Sequence, residues 1–145
     1  MKTLLWAALL AAGLNVAVQT CANAANMTLD VPIKKVGVIA VCTGVGSAKQ
    51  DARWKAYSVR LSFSNGGSQY IAGERVILSR DEKTIAVLDC GAPWILFKLP
   101  EGSYSLKATI PDQTGVMTRK AIFKIEDGAS QQRVGIRFTE LQPNE

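Results

Sequence analysis

Histidine is absent from all 145 residues, and that absence excludes more chemistry than any motif in the chain includes. Without imidazole there is no ready base near neutral pH to activate a serine, threonine or cysteine, and the usual histidine-bearing zinc sites are ruled out. Cysteine is scarce as well, at three residues, so an all-thiolate tetrahedral site cannot be assembled. No Asp-x-Asp-x-Asp-Gly run is present to wrap a calcium ion. The acids, among them Asp81, Glu82, Glu101, Asp112, Glu126 and Asp127, fall mostly in predicted turns and at strand ends, where solvation and turn geometry account for them. A carboxylate-only glycoside hydrolase is the one catalytic device left, and nothing in the spacing favours it. We therefore expect no enzyme, no metal and no cofactor. The basic excess is modest, 17 Lys and Arg against 12 Asp and Glu, and too diffuse for a nucleic-acid surface.

Long apolar runs are also lacking, except at the start. Lys2, the apolar stretch from Leu4 to Val18, and Ala22-Asn23-Ala24 as a small-x-small site read as a secretory signal over residues 1–24, cleaved near Ala24. Asn15 and Gln19 interrupt the run, which falls short of the roughly 20 apolar residues of a spanning helix, so no transmembrane segment is expected after cleavage. Lipid attachment at Cys21 is disfavoured, because Val18-Gln19-Thr20 stand where small residues belong. The product, of about 120 residues, suits one domain in the periplasm or outside the cell. It keeps two cysteines, Cys42 and Cys90, which an oxidising compartment is expected to join as a disulfide; two buried free thiols are the competing state.

What the chain has in quantity is period-two alternation broken by turn chemistry. After a lead at 25–35, we expect strands at Val36 to Cys42, Tyr57 to Phe63, Ile71 to Ser79, Thr84 to Cys90, Trp94 to Leu99, Ser103 to Ile110, Val116 to Glu126 and Gln131 to Phe138, then a loose tail at 139–145. Trp94 to Leu99 is apolar almost throughout and reads as a strand covered on both sides. Ser47 to Ala56 lacks alternation and reads as a helical turn carrying the chain to the other sheet. The last two strands flank Asp127-Gly128-Ala129-Ser130 and read as a hairpin. The expected fold is all-β, an antiparallel seven- to eight-stranded Greek-key sandwich over residues 36–138.

The most pointed local motif is Leu99-Pro100-Glu101-Gly102-Ser103-Tyr104. Proline fixes φ, Gly102 takes a strained turn position, and Tyr104 buries its ring while its hydroxyl reaches nearby backbone. Together with Gly91 to Lys98 before it and Ser105 to Ala108 after it, this stretch resembles the core of the carboxypeptidase regulatory-like domain, a prealbumin-like (transthyretin-like) sandwich. Small secreted bacterial proteins built on that module share the Thr43-Gly44-Val45-Gly46 element and a strand like Tyr57 to Phe63. The resemblance implies a scaffold rather than a reaction, since in metallocarboxypeptidases the module accompanies a separate catalytic domain. The histidine-dependent transthyretin-like hydrolases do not fit a chain without histidine.

Binding residues are expected among the cations. If the last two strands pair, Lys120 and Lys124 join Arg133 and Arg137 in one cationic stripe suited to an acidic glycan, a lipid headgroup or an acidic protein. Arg53 and Trp54 form a second cationic and aromatic candidate, although Trp54 packing over the sandwich is the plainer reading. The expected function is a non-enzymatic secreted or periplasmic binding or structural accessory module, with an envelope protein or a cell-wall glycan as partner. The alternative is an inhibitor or regulator of a secreted hydrolase, wedging a turn such as Arg80 to Lys83 or Pro111 to Gly115 into its target.

Overall fold

A computed structural model describes residues 23–67, 69–112 and 115–141. The leader with Cys21 and Ala22, the centre of the Pro111 to Gly115 turn and the end of the tail lie outside the described residues.

Ten strands follow in chain order: β1 (Ala25–Asn26), β2 (Ile33–Lys35), β3 (Val38–Thr43), β4 (Val59–Asn65), β5 (Glu74–Arg80), β6 (Lys83–Cys90), β7 (Trp94–Lys98), β8 (Gly102–Asp112), β9 (Gly115–Ile125) and β10 (Gln132–Phe138). They form two five-stranded sheets, β1-β6-β5-β8-β9 and β10-β4-β7-β3-β2, packed as an all-β sandwich. Alternation decides which side chains turn inward. From β4 the core takes Val59, Leu61 and Phe63, and from β8 it takes Tyr104, Leu106 and Ala108, all nearly or fully buried. Burying each such aliphatic or aromatic side chain contributes roughly 1.5–3 kcal/mol. The Cys42–Cys90 disulfide joins β3 of the second sheet to the end of β6 in the first, with the Cα atoms 5.6 Å apart.

Three expectations are corrected. The sheets are mixed, not antiparallel throughout: β10 runs parallel to β4, and β1 runs parallel to β6. The last two strands make no hairpin, because β9 closes the first sheet beside β8 while β10 crosses over to β4. The 126–131 link is turn-like, yet Gln131 has its amide Nε2 donating to the carbonyls of Trp54 and Tyr57, which draws the chain toward the second sheet. Finally, the segment after β3 does not change sheets. It forms two 3-10 turns, Gly46–Gln50 and Ala52–Ala56, that lie over the outside of the second sheet and return to β4 in that same sheet.

The β7 run is covered on both sides. Ile95 and Phe97 face the main core, while Trp94 and Leu96 face outward into a smaller cluster with Val41, Trp54 and Tyr57. Among the described residues no helix is long and apolar enough to cross a membrane.

Candidate functional site

The predicted cationic stripe is divided by the crossover. Lys120 and Lys124 stand on the outer face of the first sheet, opposite Lys107 and Ser103 of β8. Arg133 and Arg137 stand on the outer face of the second sheet, opposite Arg60 and Ser64 of β4. These are opposite surfaces of the molecule. Of the second candidate pair, Arg53 makes a two-pronged ion pair with Asp51, at 2.7 and 3.0 Å to one carboxylate oxygen, which holds the Asp51 carboxyl below its usual range. Trp54 is buried, with its indole Nε1 donating to the Ala48 carbonyl at 2.8 Å. Trp54 thus serves as the lid of the smaller cluster.

The Leu99 to Tyr104 motif is structural in its contacts. The Tyr104 hydroxyl donates to the Pro100 carbonyl at 2.7 Å, and its ring stacks on Phe123. Gly102 sits at φ +151°, where a Cβ would come within 2.8 Å of the Arg80 guanidinium, so the position demands glycine. The Leu99 amide donates to the Ser58 hydroxyl at 3.0 Å, tying the turn to the entry of β4. Beside this turn lies a cleft of about 690 Å³ whose charges are of both signs: Lys55 and Lys124 against Glu101, Glu126 and Asp127. The Arg80 to Lys83 turn is a two-residue hairpin with both Asp81 and Glu82 at positive φ, and Arg80 is engaged with the Glu101 carbonyl.

What the parallel pairing of β10 with β4 assembles is a three-by-three grid on the outer side of the second sheet, open over β10 and β4 and covered where it reaches β7. One row is Arg133, Gly135 and Arg137. In register beside it stand Arg60, Ser62 and Ser64. Beyond those come Leu96 and Trp94 of β7, and Tyr70, which bridges to Ser64. Residues paired across neighbouring strands project to the same face, so these side chains share one surface about 10 Å across and about 13 Å long.

Cations and rings interlock within the patch. The Arg60 guanidinium lies 4.1 Å from the Trp94 ring centroid. Tyr70 meets Trp94 edge to face at 6.3 Å, and the Lys49 ammonium hangs 4.9 Å from the Tyr70 ring. Trp94 is held close to the sheet because Gly44 leaves room for it; a Cβ there, at φ +104°, would stand 2.7 Å from the indole. Burial, and then the charge of Arg133, lowers the Arg60 pKa from its ordinary value. Among the described residues no carboxylate pairs with Arg60, Arg133 or Lys49. The Arg60 Nε and the Trp94 Nε1 are both buried and have no acceptor among those residues. Burying a donor without a partner costs about 1–3 kcal/mol, and like charges on neighbouring strands add a smaller cost.

One further buried polar group, Glu74, lies elsewhere. It faces the core at the start of β5, in register with Cys90, 1% exposed, and neither carboxyl oxygen has a hydrogen-bond partner on another described residue. Burial pushes its pKa up to about 8. Among the described residues no cluster of three or more Cys, Asp, Glu or His side chains is placed to hold a metal ion.

Sequence reasoning found Arg133 and Arg137 but missed Arg60, Ser62, Tyr70, Trp94 and Lys49 as their neighbours. Alternation shows that Arg60 and Ser62 point away from the core, but nothing local to β4 names β10 as its partner. Compared with models of known protein families and with curated protein sequences, the chain matches none.

Proposed function

We propose that the chain is an exported, non-enzymatic binding module of the carboxypeptidase regulatory-like, prealbumin-like kind, its strands following a Greek key. Its ligand is an acidic component of the cell envelope, a wall glycan or another protein, and it docks on the outer face of the second sheet around Arg60. One observation carries the reading: Arg60 and Arg133 stand side by side in register, and among the described residues no acid is paired to either. A fold selected for stability alone gains nothing from that juxtaposition, whereas an incoming anion would relieve the repulsion and supply the missing acceptors.

The test is retention of the purified protein on immobilised envelope material, wall polymer and envelope proteins together, with salt as a variable. We expect retention at low ionic strength, weakening as salt rises, and at least a tenfold loss in the Arg60→Gln/Arg133→Gln double variant. Equal retention of wild type and variant would refute the assignment of this face.

A further inference from the structure

We infer that the patch is a saccharide subsite, and that its ligand is a sugar chain carrying carboxylates, such as a uronic acid polymer. The inference rests on the anionic-ligand reading above and goes further by choosing the chemistry of the ligand.

Three features of the patch separate a sugar from an acidic peptide. The middle of the grid is low. Gly135 has no side chain, a Cβ there would meet nothing within 4 Å, and its neighbour in register is the small Ser62. Arginine rises on one side of this trough, and Trp94 and Tyr70 rise on the other. The low part joins Gly135 to Ser62 on neighbouring strands, about 4.8 Å apart, which is about the width of a pyranose ring. Second, the trough is lined with hydroxyls. Ser62 and Ser64 are half-buried and face outward, and neither side chain has a hydrogen-bond partner among the described residues. Serine hydroxyls both donate and accept, which suits a ligand whose own groups are hydroxyls. Third, one aromatic ring is exposed. Tyr70 is 53% exposed while Trp94 beneath it is covered, so Tyr70 is the ring on which the apolar face of a sugar can lie.

The charges then place the carboxylate. Arg133 is exposed and Arg60 half-exposed, side by side at one corner of the trough. Two guanidinium groups offer planar, paired donors that match a carboxylate better than ammonium groups would. Lys49, over the rings at the opposite side, is placed for a carboxylate on a neighbouring sugar. The row Arg60, Ser62 and Ser64 along one strand thus offers one charge followed by two hydroxyls to a ligand lying parallel to β4.

The experiment is titration of the full exported chain with oligouronides of four to six residues, with the same oligomers after reduction of their carboxyls to alcohols, and with poly-glutamate of matched charge. Calorimetry and amide chemical shifts report binding and its location. We expect the oligouronide to bind with shifts at Ser62, Gly135 and Tyr70, and the carboxyl-reduced form to bind at least tenfold more weakly. Tyr70→Ala is expected to lose at least tenfold toward the oligouronide and less than twofold toward poly-glutamate. Lys124→Gln, on the opposite surface, is expected to change nothing. Binding of poly-glutamate but not of oligouronide overturns the saccharide and leaves the acidic-ligand reading standing. Binding of neither overturns both. Equal affinity for native and carboxyl-reduced oligomers overturns the role given to the arginines. If Tyr70→Ala affects both ligands alike, the ring is no sugar platform and the inference falls.

Discussion

The two outer faces of the sandwich carry comparable numbers of cations and differ in everything around them. On the first sheet Lys107 and Lys120 stand opposite one another beside Ile122, which is 84% exposed. Both lysines are exposed, and among the described residues no aromatic ring lies over either. On the second sheet Arg60 is half-buried against Trp94, two buried donors lack acceptors among the described residues, and a glycine opens a trough beside two serines. Charge alone therefore does not mark a site. Solvated lysines on a sheet face do little beyond solubility, whereas cations held against rings, with their desolvation unrelieved, store a preference for an anion.

The comparison is clean only if the interior contributes separately, and Glu74 gives the largest test of that. Its folded pKa, about 8, is raised above the ordinary 4.5, so the native state holds a proton that the unfolded state releases between those values. The stability that Glu74 contributes is fully present below about pH 4.5, falls as the pH rises toward 8, and is lost above it. The total loss is on the order of 5 kcal/mol. Urea unfolding of Glu74→Gln across pH 5 to 9 should show the slope removed; a slope unchanged in the variant would assign it elsewhere.

The next test strikes at the difference between the faces. Trp94→Ala empties the smaller cluster under the 3-10 turns and removes the ring against which Arg60 lies. It should cost about 3–5 kcal/mol, as for other large buried aromatics. Ile122→Ala on the opposite face should stay within about 0.5 kcal/mol, despite being as apolar a change, because water already surrounds the side chain. Paired denaturation curves measure both. Similar losses would mean that the faces are energetically alike and that Trp94 holds nothing in place.

How much of this was legible in the sequence follows from what periodicity encodes. Tyr57, Val59, Leu61 and Phe63 alternate with polar residues, and Tyr104, Leu106, Ala108 and Ile110 do the same, so strand position and inward face could be read directly. The continuous apolar run at Trp94 to Leu99 correctly implied cover on both sides, although not that residues 46–56 provide it. Strand pairing has no such local signal. Residues 126–131 satisfy the turn rules for a hairpin, and only the long-range bond of Gln131 to Trp54 and Tyr57 shows why β10 leaves β9. The candidate site depends on that one crossover, because Arg133 meets Arg60 only if β10 lies beside β4. Half of its cations were therefore visible and none of its neighbours were.

The smallest expected effects sharpen the comparison furthest, because they separate stability from binding. Lys120→Glu turns the like-charged pair with Lys107 into an opposite pair on a wet surface, and Arg133→Glu does the same with Arg60 on the second sheet. Each should raise stability by a few tenths of a kcal/mol to about 1 kcal/mol, since repulsion between neighbouring strands is exchanged for attraction. Arg133→Glu should gain the more, because its partner is partly desolvated and less screened. Their effects on an anionic ligand should diverge, with Lys120→Glu leaving affinity within twofold and Arg133→Glu lowering it by at least tenfold. A stabilising substitution that abolishes binding would identify the Arg60–Arg133 repulsion as a cost retained for function. If Arg133→Glu instead destabilises the protein, the two guanidinium groups are already accommodated by the fold, and the second face loses the feature that distinguishes it from the first.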